Sequence, residues 1–198
     1  IDLLHLMAQV GLNPIVKQTG VHLIQPGPQT HDGLLFADHN PKEGKATLGL
    51  INRMIAITNE GQYATPEDEL RQCWHDDMLW WGPTGIGATY TIDRYIQQHQ
   101  KPFRTQNEGR RFNGHICRMA EGNYGGFFGW PNLSLRPSAG YMGMPPYHDF
   151  ADMRVVDIYR RKGDKLAENW VFIDLLGFWM QHGYDLLTDT IAKNRSTK

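Results

Sequence analysis

The sequence predicts an α+β fold in which a curved antiparallel sheet wraps around N-terminal helices and leaves a central pocket. Three observations predict it. Helical periodicity dominates from Ala46 to about His99, and strand chemistry dominates from Arg110 to Asp174. Two glycine-centred hairpin signals, Glu121-Gly122-Asn123 and Lys162-Gly163-Asp164, join strands in antiparallel fashion. Helices followed by a run of strands is the order of a sheet folded around helices, with a ligand space between the layers.

At the N-terminus, Ile1-Asp2-Leu3-Leu4 with Gln9 and Gly11 matches Ile173-Asp174-Leu175-Leu176 with Gln181 and Gly183 at a constant offset of 172 residues. Residues 1–14 are therefore expected to be the last element of a preceding homologous domain, the chain being the second half of a tandem. The alternative is chance similarity between two apolar segments. Residues 15–44, rich in Pro, Gly and His without a sustained period, read as a linker on the surface. The main domain is expected over 45–190, with a tail at 191–198.

Between Ala46 and Asn59, Leu48, Ile51 and Ile55, with Leu50, Met54 and Ile57, form a broad apolar helix face that Gly61 ends. Thr65-Pro66-Glu67-Asp68 combines a hydroxyl cap, a first-turn Pro and acids at the positive dipole end, so a short helix follows. A strand is expected at about Trp74–Trp81, then a glycine turn at Gly82–Gly87. Thr91 caps the next helix, whose buried side carries Ile92, Tyr95, Ile96 and His99. Strands are placed near 110–121, 124–136, 150–161 and 166–174, and a final helix near 175–183.

Composition narrows the function classes. The chain has 198 residues, 40% hydrophobic and 11% aromatic, which suits one packed domain with extra chain. A net charge of −1 implies no strongly basic face, so neither nucleic acid nor an anionic membrane is an expected partner. Cys73 and Cys117 are the only cysteines, too few for a disulfide framework, and a reducing, cytoplasmic setting is the default. His148-Asp149 and His75-Asp76-Asp77 cannot chelate from one strand face, and no His-x-His or His-x-x-x-His occurs, so no metal is expected. Gly85-Ile86-Gly87 lacks the third glycine and the Lys-Ser/Thr of phosphate loops, so no nucleotide cofactor is expected either.

Four stretches resemble the SnoaL-like, polyketide cyclase-like family of the NTF2-like superfamily. They are Trp81-Gly82-Pro83 with Gly85, the Gly143-Met144-Pro145-Pro146 turn, Val156-Asp157-Ile158-Tyr159-Arg160 with Gly163-Asp164-Lys165-Leu166, and Glu168-Asn169-Trp170 leading to Asp174-Leu175. The resemblance implies a cone with a central pocket. Asn169 stands where the family usually has His, Tyr147-His148 where Thr-Gly is common, and the stretch from Phe127 to Tyr147 is longer than usual.

Asp157 is the first candidate for chemistry. Alternation puts it with Met153, Val155 and Tyr159 on the more apolar face of its strand, where no cation stands beside it. Desolvation there raises a carboxyl pKa toward neutrality, which suits a proton donor or acceptor. The resemblance implies the same position, since matching Asp residues are the acid/base group of the cyclases. The competing reading is a buried structural Asp bonded to backbone. His115, expected on the strand Phe112–Arg118, is a second candidate proton carrier. Trp80, Tyr147, Tyr159, Trp170 and Asp174 complete the expected pocket set, with Asp174 equally able to cap the last helix. The expected function is binding of a small hydrophobic, polyketide-like or cyclic carbonyl ligand, with cofactor-independent cyclase- or isomerase-type acid/base chemistry. The alternative is a non-catalytic ligand-binding module or one that pairs as a homodimer or with its tandem neighbour.

Overall fold

Asn40 and Pro41 start the first helix. The Asn40 side chain accepts a hydrogen bond from the Lys42 backbone N–H, and the Pro sits in the first turn, where its missing donor costs nothing. The computed structural model describes residues 27–31, 38, 40–83 and 85–196. The expected stub at 1–14 lies outside these residues, as does most of the expected linker. Helix α1 (Pro41–Glu60) ends on Gly61 in the left-handed region. Its start lies upstream of the expected Ala46, because an Asn-Pro pair that reads as a turn is also a cap followed by a first-turn Pro.

Thr65 caps α2 (Pro66–Arg71) by accepting from the Asp68 N–H. Strand β1 (Trp74–Trp81) follows, then the glycine turn, then β2 (Ala88–Thr89), which pairs back on β1. Thr91 caps α3 (Ile92–Tyr95), and helical backbone continues through a π-helical turn (Ile96–Gln100) into α4 (Lys101–Gln106). Next come β3 (Glu108–Phe112), β4 (Cys117–Glu121), β5 (Tyr124–Arg136), β6 (Ala151–Lys162) and β7 (Lys165–Ile173). Helices α5 (Leu175–Gln181) and α6 (Leu186–Ser196) close the described chain. The single strand expected at 110–121 is thus two strands, split at Gly114, whose φ of 101° favours a glycine. The expected tail at 191–198 also changes: Asp185 accepts from the Thr188 N–H at 3.0 Å and so starts α6.

Among the described residues the strands form one seven-stranded sheet in the order β2-β1-β7-β6-β5-β3, with β4 also pairing on β5. All pairs are antiparallel except β1 with β7. Register shifts in β3 near Gly109, in β5 between Gly129 and Leu133, and in β6 at Arg160–Arg161 bend the sheet. Helix α1 crosses β4 and β5 so closely that a Cβ at Gly125 would stand 2.8 Å from Ile51 Cδ1. Ile51, Met78, Leu135, Phe178 and Trp179 are fully buried in the core between these layers and under α5. Gly27–His31 of the expected linker lie on the convex face. There the Gln29 N–H donates to Glu168 Oε1 at 2.7 Å, and Arg160 pairs with Glu168 and with the Gln29 side chain. No helix among the described residues is long and apolar enough to cross a membrane.

Candidate functional site

The concave face of the sheet and the helices enclose a cavity of about 190 Å³. An apolar cavity of ~150 Å³ accepts benzene, and drug-sized ligands need about 300 Å³ or more, so this space suits one ring with substituents. Strand alternation builds the floor. Met153, Val155, Asp157 and Tyr159 point inward from β6, and Asn169, Val171 and Ile173 from β7.

Asp157 is 9% exposed and Asn169 3%. In the β6–β7 register Asn169 lies opposite Tyr159, diagonal to Asp157 on the same face. Its amide nitrogen donates to Asp157 Oδ1 at 2.8 Å and to the Ile158 carbonyl at 3.1 Å. The Tyr159 hydroxyl donates to the same carboxyl. These two donors favour the carboxylate, but neither carries a charge. Burial outweighs them and pushes the Asp157 pKa from 3.8 up to about 7.

The helical wall is a row of rings. Tyr95, His99 and Phe103 are four residues apart, and four-residue steps drift by ~40° on a regular α-helix. The wider π turn absorbs the drift. The rings stay in contact, with centroids 5.3 Å apart for Tyr95–His99 and 5.6 Å for His99–Phe103. Trp80 from β1 stacks on His99 at 4.5 Å. Burial, followed by the charge of Arg104, lowers the His99 pKa to about 3, so its ring is neutral. Burial, then Asp157, raises Tyr95 above the usual tyrosine range. His99 Nδ1, Gln100 Oε1 and Asn132 Oδ1 are buried in this lining with no partner among the described residues.

Towards the solvent the lining becomes polar and cationic, with Asn59, Arg104, Arg110, Phe112 and His115. Arg104 pairs with buried Glu69 at 2.7 Å, which also accepts from Gln100 Nε2 at 3.2 Å. His115 lies in the β3–β4 connection rather than on a strand, because the chain turns at Gly114. Its ring stacks on Phe127 at 3.8 Å and its Nδ1 accepts from Arg118 at 3.0 Å. Burial, then Arg118, lowers its pKa to about 4. It lines the cavity beside Asp157 without bonding to it. Among the described residues no three His, Cys, Asp or Glu side chains converge, and of these types the cavity lining holds Asp157, His99 and His115.

Of the other expected pocket residues, Trp80 and Tyr159 line the cavity. Three stand elsewhere. Trp170 follows inward-facing Asn169, so alternation turns it to the convex face, where it stacks on Trp81 at 4.8 Å. Asp174 caps α5, accepting from the Gly177 N–H at 2.9 Å, and pairs with Arg154 at 3.4 Å. Tyr147 stacks on His182 at 4.3 Å, and its hydroxyl donates to the Gln181 carbonyl at 3.3 Å. Trp170 and Asp174 instead line a shallow depression of about 390 Å³ on the convex face. Sequence reasoning missed Asn169 as the Asp157 partner and Arg104 and Arg110 as lining. Tyr95 and His99 were legible as a buried helix face, which is the signal that places them here.

No family model matches the chain, and no curated protein matches it. Solved structures do. IdmH from Streptomyces antibioticus, a candidate polyketide cyclase, is 15% identical over 70% of this chain and 99% of its own, with a TM-score of 0.53. A candidate SnoaL-like polyketide cyclase from Jannaschia sp. CCS1 is 17% identical over 71% of this chain and 92% of its own, with a TM-score of 0.56. An NTF2-like protein from Burkholderia xenovorans LB400 is 13% identical over 69% of this chain and 95% of its own, with a TM-score of 0.52. At these identities the likeness is one of fold, and the chain has the SnoaL-like, NTF2-like fold.

Proposed function

We propose that the cavity is a cofactor-independent acid/base site in which Asp157 moves a proton at a carbon next to a carbonyl, in a small, mostly apolar, single-ring compound. The observation that carries this is the carboxyl itself: deep in an apolar cavity, bonded to two neutral donors and poised near neutral pH. As the carboxylate, Asp157 takes the α-proton, and the C–H electron pair moves into the enolate. The acid so formed then returns the proton to another carbon, or to the alkoxide left when the enolate closes a ring. With its proton on Nδ1, neutral His99 offers the enolate oxygen a hydrogen bond from an atom that is otherwise unsatisfied. Asn169 cannot carry a proton, so in this scheme it holds Asp157 in place and leaves one side chain to do both transfers.

Asp157→Asn keeps the shape and removes the base. Against a panel of cyclic and aryl ketones, followed by proton–deuteron exchange at the α-carbon, this variant should lose about 10²- to 10⁴-fold in rate while still binding ligand. Unchanged exchange would rule Asp157 out.

A second reading, a module that pairs through its sheet, is favoured by one observation. The convex face exposes Trp130 (57%) and Phe172 (60%) beside the Trp81–Trp170 stack.

A further inference from the structure

The cavity lining holds two guanidinium groups and one carboxyl other than theirs to balance them, and that carboxyl is Asp157 at the floor. Arg104 is satisfied from behind by Glu69. Arg110 is not. Among the described residues it has no ion pair and no hydrogen bond, although it lines the same cavity. Its strand shows that this is placement rather than neglect. Neighbouring Arg111 turns to the other side and lies over the Phe150 ring at 3.8 Å, whereas Arg110 and Phe112, two residues apart, both face the cavity. The bulge that sets this phase needs Gly109, which has a φ of 60° and would bring a Cβ within 3.1 Å of the Phe150 ring. Burial and the charge of Arg104 both disfavour the Arg110 cation, so an incoming anion relieves an existing cost. His99 and His115 add no charge at neutral pH, and the chain as a whole is at −1, so the positive field is local to this mouth.

We propose that Arg110, with Arg104 beside it, seats a carboxylate of the ligand at the cavity mouth, so that the compound whose carbonyl meets Asp157 is a small oxo acid rather than a neutral ketone. This deepens the acid/base reading and rests on it for the carbonyl end only. The anion seat stands on the arginines. A planar fork of N–H donors suits one carboxylate in bidentate geometry, and one unpaired guanidinium balances one charge.

The test uses 4-oxo-4-phenylbutanoate, its methyl ester and phenyl phosphate, with binding read by quenching of tryptophan fluorescence, since Trp74 and Trp80 line the cavity. The acid should bind the full chain at least tenfold tighter than the ester, and added NaCl should weaken the acid alone. In Arg110→Met the acid should lose about tenfold or more and the ester nothing, while Arg110→Lys should recover part of the preference. Circular dichroism should show both variants folded, because Arg110 holds no other element in place. Equal binding of acid and ester, an unchanged ratio in Arg110→Met, or no saturable binding of the acid each overturns the proposal. Tighter binding of phenyl phosphate with the same Arg110 dependence overturns the carboxylate in favour of a phosphate. Asp157→Asn separates the two readings. It should abolish α-proton exchange and leave the acid-to-ester ratio intact, so exchange failing in the wild type with the ratio present sinks the chemistry and spares the seat.

Discussion

Asp157 shows how one residue links stability to function. Its folded pKa of about 7 lies above the usual 3.8, so between those values the folded state binds more protons than the unfolded state. The sign follows: this group destabilises the fold progressively as pH rises from about 4 to 7, and the penalty is constant above that. The span corresponds to at most ~4 kcal/mol. Asp157→Asn carries no such penalty, so urea unfolding should show its advantage over wild type growing by up to that amount between about pH 4 and pH 8. A pH-independent difference would contradict the burial argument. The same titration should appear in the rate, which rises through about pH 7 as the carboxylate forms. Asp157 was legible from alternation alone, because an acid among Met153, Val155 and Tyr159 has no other explanation on a strand. Asn169 was not. Its contact depends on the β6–β7 register, which the Lys162-Gly163-Asp164 turn suggests but the Arg160–Arg161 shift then alters.

At the level of elements, cap chemistry was the most readable signal, and it settles one ambiguity. Asp174 belongs to the start of α5, so Asp174→Ala should cost about 1 kcal/mol in unfolding free energy, and Asp174→Asn much less. Neither should alter ligand binding, since the side chain lies outside the cavity. A binding defect in Asp174→Asn would return this residue to the site. The same capping rule would have found α1 at Asn40-Pro41 and α6 at Asp185, had Pro and Asp there not been taken for loop. The arginines were hidden for a different reason. Reading 110–121 as one strand assigns every side chain a face by counting through, and the break at Gly114 and the bulge at Gly109 void that count. Local backbone irregularity, where the period of two fails, is where the mouth of the site is built.

For the whole molecule, the order of helices and strands was enough to give the curved sheet and its pocket, since few topologies accommodate helices first and strands after. Which strand runs parallel was not readable, because β1 and β7 are brought together by everything between them. The convex face is a property of the whole sheet, and its exposed aromatics make a concrete expectation. If the molecule pairs there, sedimentation velocity should show a dimer that Phe172→Asp converts to monomer. A monomeric wild type would leave the sheet-pairing reading without support. The concave face holds a different kind of lever in the π turn at Ile96–Gln100. That turn amounts to one surplus residue in an otherwise regular helix. Loss of a single codon there would restore α-geometry and swing everything downstream by ~100°, carrying Phe103 off the ring row and Arg104 away from Glu69. The mouth of this cavity can therefore be recast in one discrete step by an in-frame deletion, a route to altered ligand preference that no point substitution provides.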